Sequence, residues 1–170
     1  ITLLPTLAGA AQGVSIPPAM QPLTCDVYEP KNDTITERPA IILIHTGSFL
    51  PPIVNGQATG SKTDNSIVEN CTRWAKKGYV AIAMTYRQGW APTSTSLAVR
   101  TSTILQAAYR GIHDAKAMVR FLRKSADADG NPYGVDESKI VIGGQGTGSY
   151  LSMGYITLDT VSELFIYPKF

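Results

Sequence analysis

The sequence predicts an α/β fold built on a parallel sheet. Two observations carry that prediction. Continuous apolar runs at 40–45 ("AIILIH"), 79–87 ("YVAIAMTYR") and 139–144 ("KIVIGG") suit strands buried on both faces. They alternate with stretches of helical period, which gives strand–helix units joined by right-handed crossovers. At 170 residues, 44% hydrophobic and 16% charged, the chain is long enough and apolar enough for one ordered domain.

Taken in order, residues 1–22 are rich in Pro, Gly and Ala and read as an irregular arm on a domain that occupies 23–170. The first thirteen residues resemble a signal peptide faintly. Without a basic leader or an initial Met, they read as a mature or trimmed N-terminus. "TCDVYEP" alternates like an edge strand and stops at Pro30, and "KNDTITERP" is a polar connection. After the first buried run, residues 46–65 form a long Gly- and Pro-bearing loop, a length usually reserved for function or mobility.

In the helix that follows, Ser66 and Glu69 make a capping-box pair. Ile67, Cys71, Trp74 and Ala75 share a face, and Gly78 ends the helix. Residues 96–125 carry the clearest helical period, with Ala108, Ile112, Ala115, Val119 and Leu122 at alternating spacings of four and three. Residues 126–138 read as turn material, and "TGSYLSMGYITLDTVSELF", 147–165, as helix.

Charge and composition exclude several partners. A net charge of +2 from scattered Lys and Arg does not make a nucleic-acid surface, and no apolar run approaches a membrane span. Cys25 and Cys71 fit no spaced metal pattern, and the sequence leaves open two thiols or one disulfide. Two sequons begin at Asn32 and Asn70, a pattern too short to carry weight alone.

The chemistry concentrates at 140–150, "IVIGGQGTGSY", where a buried strand meets a glycine turn and a helix. With "LTCDVYEP", "RPAIILIHTGSF", "CTRWAKKGYVAIAMTYRQGW" and the "RFLR…YGVD" block, it resembles the serine-esterase branch of the α/β-hydrolase fold over roughly 23–152. The flavour is that of secreted bacterial carboxylesterase-like proteins. The resemblance implies the N-terminal part of an α/β-hydrolase sheet, through the nucleophile turn and its helix. It also implies a secreted, periplasmic or cell-surface location, a small ester substrate and no cofactor or metal.

In such a site a serine attacks an ester carbonyl, a histidine takes its proton, an acid orients the histidine, and backbone N–H groups hold the oxyanion. The resemblance assigns Gly146 to the nucleophile position, flanked by the elbow glycines Gly144 and Gly148. It assigns Gly47, Ser48 and Thr147 to the oxyanion hole and makes His45 the anchor of the loop "HTGSF".

The departures from the pattern are as informative. Gly146 has no side chain, and Thr46 stands where the family's His-Gly-Gly loop has its first glycine. Thr147 and Ser149 are poor replacements for the nucleophile, one strained by its β-branch and the other displaced onto the helix. No histidine follows Gly146, and Asp159 and Glu163 lie too near the turn to serve as the distant acid. His113, with Asp114 beside it, precedes the turn on the long helix and reads as surface or packing.

This chain alone is therefore expected to lack serine-hydrolase activity. The third buried run is expected to be an open edge, completed by the C-terminal half of the same domain or by another polypeptide. The aromatic end "SELFIYPKF" suits such docking.

Other readings of the turn are weaker. Gly144-Gln145-Gly146-Thr147-Gly148 is one step from a dinucleotide fingerprint, but it does not open the domain and no ribose-binding acid on a second strand follows. What remains is a disabled esterase or a hydrolase-like module that binds without catalysis.

Overall fold

The computed structural model describes residues 22–160, together with a two-residue antiparallel pair of Thr2–Leu3 with Ala19–Met20. The rest of the N-terminal arm, Glu163 and the "SELFIYPKF" end lie outside the described residues.

The strands are β1 (Cys25–Tyr28), β2 (Arg38–Ile44), β3 (Val80–Met84) and β4 (Val135–Gly144). The helices are α1 (Pro52–Asn55), α2 (Asn65–Lys76), α3 (Leu97–Asp127) and α4 (Thr147–Thr157). The strands form one sheet in the order β1-β3-β2-β4, in which β1 runs antiparallel at the edge and the others are parallel. The α/β fold is thus as predicted, with a mixed rather than wholly parallel sheet.

Strand alternation divides the core in two. Ala40, Ile42, Ile44, Val80, Ile82 and Met84 face α3 and α4, meeting Ala107, Ile112, Ala115, Val119, Leu122 and Leu151. Ile41, Ala81 and Ala83 face α2 and meet Ile67 and Cys71. Burying each large aliphatic side chain of this kind is worth about 1.5–3 kcal/mol. Val141, paired with Ile41 in register, also faces the α2 side but remains 52% exposed, because α2 does not reach over β4. Cys25 and Cys71 are free thiols, the first half-buried and the second fully buried.

Several local expectations need correction. The capping box does not form. Asp64 is the N-cap of α2, and its carboxylate accepts from the N–H groups of Gly60 (2.9 Å) and Ser61 (3.1 Å). Glu69 instead pairs with Arg73 one turn on, and Ser66 donates elsewhere.

The long loop contains the single turn α1. Residues 135–138, read as turn, extend β4: Val135 pairs with Arg38, and the chain between it and Ile140 bulges where Pro39 has no N–H to give. α4 stops at Thr157, short of the expected helix.

The α3 reading is close, with Ser96 as N-cap accepting from the Val99 N–H. Its buried set includes a charge that the sequence reading passed over. Asp114 is 2% exposed and accepts from Arg87 through the backbone N–H (2.8 Å) and Nε (2.9 Å). The guanidinium also pairs with it at 2.8 Å, which fastens the loop after β3 to α3. His113, one residue away, is exposed.

Candidate active site

The site lies at the C-terminal ends of the parallel strands, where ligands of open α/β sheets bind. Here β4 runs into the turn 144–148 and β2 into the loop 45–50. The Gln145 N–H donates to the Ile44 carbonyl (3.0 Å), continuing the ladder to the last residue before Gly146.

At the turn the backbone approaches itself so closely that side chains are excluded. A Cβ on Gly144 would stand 2.4 Å from the carbonyl carbon of Gly148, and one on Gly148 would stand 2.2 Å from the Ile44 carbonyl oxygen. Both glycines are therefore required by the crossing of α4 over β2 and β4. Between them Gly146 takes φ +52° and ψ −119°. That is a conformation an L side chain rarely adopts and glycine takes freely.

Gly146 is exposed, at the N-cap of α4, and the following residue Thr147 is the first of the helix. Its N–H is among the first-turn donors that have no partner within the helix.

Across from the turn, the 45–50 loop is equally constrained. Gly47 has φ +117°, and Ser48 and Phe49 follow with φ +54° and +57°, two successive side chains in the left-handed region. The loop is held by bonds from outside it. The Trp90 Nε1–H donates to the Ser48 carbonyl (2.8 Å), the Gly89 N–H to the Phe49 carbonyl (2.7 Å), and the Asn55 side-chain amide to the Leu50 carbonyl (3.1 Å). A Cβ on Gly47 would lie 2.5 Å from the Gly60 Cα, so glycine is needed there for space as well as for φ.

His45 is 1% exposed. Its Nδ1 lies 2.7 Å from the Thr46 carbonyl, which can only accept, so Nδ1 carries the proton. The ring stacks on Tyr86 with centroids 4.5 Å apart. Burial holds the His45 pKa below its ordinary value, against a smaller opposing effect of that carbonyl, and the ring is a neutral fixture of the loop. Tyr86 in turn places its hydroxyl 3.4 Å from the Thr46 carbonyl and 3.3 Å from the Thr147 hydroxyl. Burial raises the Tyr86 pKa, since here the charged form is the deprotonated one.

The neighbouring hydroxyls are occupied. Thr147 is tied to Tyr86, and the Ser149 Oγ donates to the Gly144 carbonyl (2.8 Å). Thr147 follows Gly146 in the chain, Gly47 and Ser48 belong to the loop whose Thr46 faces Gly146, and His113 lies on α3.

Sequence reasoning missed Tyr86, Gln145 and Ser66. The Ser66 Oγ donates to the Gln145 Oε1 (2.7 Å), linking the start of α2 to the residue before Gly146. Ser66 also lines a cavity of about 420 Å³ with Pro52, Ala58, Thr59, Ser61 and Asp64. The signal for Tyr86 was its place just beyond the end of a buried strand, where parallel sheets collect functional groups. No cluster of three metal-ligating side chains occurs among the described residues, and no helix among them is long and apolar enough to cross a membrane.

Comparison with known proteins follows the same outline. The family model for BD-FAE matches residues 25–164, which span both loops of the site. Among solved structures, the propionate-bound form of the thermophilic esterase Est2 from the Planctomycetes species Thermogutta terrifontis aligns with TM-score 0.54 at 26% identity. It covers 78% of this chain and 39% of its own. The butyrate-bound form and the form phosphorylated by paraoxon align with the same score and identity, covering 38% and 41% of their chains. The chain therefore spans about two fifths of the length of these esterase chains. No curated protein matches it.

Proposed function

We propose, on the premise that the chain belongs to the BD-FAE family of esterase-like α/β-hydrolases, that it carries part of a carboxylesterase site without its nucleophile. Ester hydrolysis by a serine is the ancestral reaction, and Gly146 holds the serine's place. The observation behind this reading is the backbone of Gly146, at φ +52° and ψ −119° between the end of β4 and the N-terminus of α4, a conformation that would strain a side chain placed there. Type II′ turns use the same conformation, and what singles this one out is its place between a buried parallel strand and the N-terminus of a helix.

In this reading the N–H groups of Gly47, Ser48 and Thr147 are the donors to the carbonyl oxygen of an ester. Their role is to stabilise the oxyanion of a tetrahedral intermediate, a contribution of about 3 kcal/mol for one donor in working enzymes. His45 and Tyr86 hold the loop rather than shuttle protons, because the Nδ1 proton is committed and the ring is enclosed. The acid and histidine of a triad would come from the C-terminal half of the domain or from another polypeptide against β4. The exposed Val141 supports an occupant on that side. Short-chain acyl esters are the substrate class to examine, since propionate and butyrate occupy the Est2 structures.

The test is to treat the chain with p-nitrophenyl butyrate and with paraoxon, reading p-nitrophenol release and intact mass. The expected result is no release above buffer and no phosphoryl adduct. An adduct mapped to Thr46, Thr147 or Ser149 would overturn the reading, because a nucleophile would then be present. A second reading, a hydrolase-like module that binds without catalysis, is favoured by one observation: a side chain already faces the nucleophile position.

A further inference from the structure

We propose that Thr46 and Gly146 are a coupled pair, in which the threonine fills the space a side chain at residue 146 would need. The nucleophile then cannot be regained by changing Gly146 alone. The proposal deepens the reading of residue 146 as the nucleophile position and rests on it for its functional meaning.

The geometry is direct. A Cβ built on Gly146 would lie 2.1 Å from the Thr46 Oγ1, 3.0 Å from its Cβ and 3.9 Å from its Cα. The approach shortens outward along the side chain, so Thr46 points at residue 146. Real Cβ atoms essentially never come within 3.0 Å of another heavy atom. Two of the three χ1 rotamers of Thr46 set a branch against Gly146 and the third turns only a hydrogen to it, but the Thr46 Cβ stays 3.0 Å from the added Cβ in all three.

The three glycines of the turn differ in what obstructs them. At Gly144 and Gly148 the obstruction is backbone, which no substitution removes. At Gly146 the three nearest atoms all belong to Thr46. The two departures from the family's pattern thus stand face to face, one position having gained a side chain where the other lacks one. A glycine at 46, as in a His-Gly-Gly loop, would reopen the space.

A double-mutant cycle on the full 170-residue chain isolates the effect. Gly146→Ala is measured by urea unfolding with Thr46 present and again after Thr46→Gly. The strain of a positive φ at 146 is common to both backgrounds and cancels. The expected result is that Gly146→Ala lowers the folding equilibrium constant about tenfold more with Thr46 present than in the Thr46→Gly background, within the range for contacting residues. Failure of the alanine variant to fold beside Thr46, with folding restored by Thr46→Gly, is the same result in stronger form.

Equal penalties in the two backgrounds, or failure to fold in both, would overturn the coupling. The cycle reads stability alone. An active wild-type chain would overturn the reading of the site and leave the coupling standing, whereas additive penalties would do the reverse.

Discussion

At the scale of single residues, His45 sets the electrostatic condition of the site. It is enclosed against Tyr86 and donates to the Thr46 carbonyl, so protonating its second nitrogen would place a charge with little solvent around it. Its folded pKa lies below the ordinary 6.5. The unfolded chain therefore takes up this proton at a higher pH than the folded chain does. The stability contributed by the neutral ring is complete above the ordinary value and is lost as pH falls toward the folded one. Urea midpoints are expected to drop as pH falls through and below about 6.5, where an ordinary histidine takes up its proton. His45→Gln should flatten that slope. An unchanged slope in the His45 variant would assign the pH dependence to other groups. The position of His45 at the end of an apolar run was legible in the sequence. Its stacking partner was not, because Tyr86 lies on another strand's extension and no local pattern joins the two.

Among elements, the crossing of α4 over the ends of β2 and β4 fixes the turn. Gly148→Ala would drive a methyl to within 2.2 Å of the Ile44 carbonyl, and the obstruction is main chain. A loss of about 3 kcal/mol, the upper end for overpacking, is expected by chemical denaturation. Gly143→Ala is the internal control. Nothing lies within 4 Å of its Cβ, and alanine carries less backbone entropy into a strand, so the change should be neutral or slightly stabilising. Equal losses at both positions would remove the crossing as the reason for the glycine motif. The motif itself was readable, since glycines at that spacing after a buried strand mark a turn. Which backbone each glycine meets belongs to the tertiary fold. The same limit explains the capping error at α2. Ser66 and Glu69 have the right spacing, but Asp64 is available two residues earlier, and a partner at Gln145 draws the serine hydroxyl away.

Over the whole molecule, helix coverage is uneven: α3 and α4 cover one face, while α2 covers β2 and β3 on the other and leaves Val141 exposed. Apolar periodicity made this layering legible, because runs buried on both faces and helices with one apolar stripe admit few arrangements. Contacts between distant polar residues were not legible. Asp114 was read only as the neighbour of His113, and its pairing with Arg87 depends on a loop path that periodicity does not encode. The contact of Thr46 with Gly146 is of the same kind, since each residue looks like an isolated substitution until the sheet brings them together. The α2 layer also encloses Cys71, whose thiol pKa burial pushes up to about 12. That thiol is a clock built into the chain. A disulfide reagent should modify the half-buried Cys25 first, and Cys71 only as often as α2 lifts from the sheet. The slow phase should quicken with added urea. A Cys71 that reacts at the speed of a free thiol would mean that the α2 face stands open in solution.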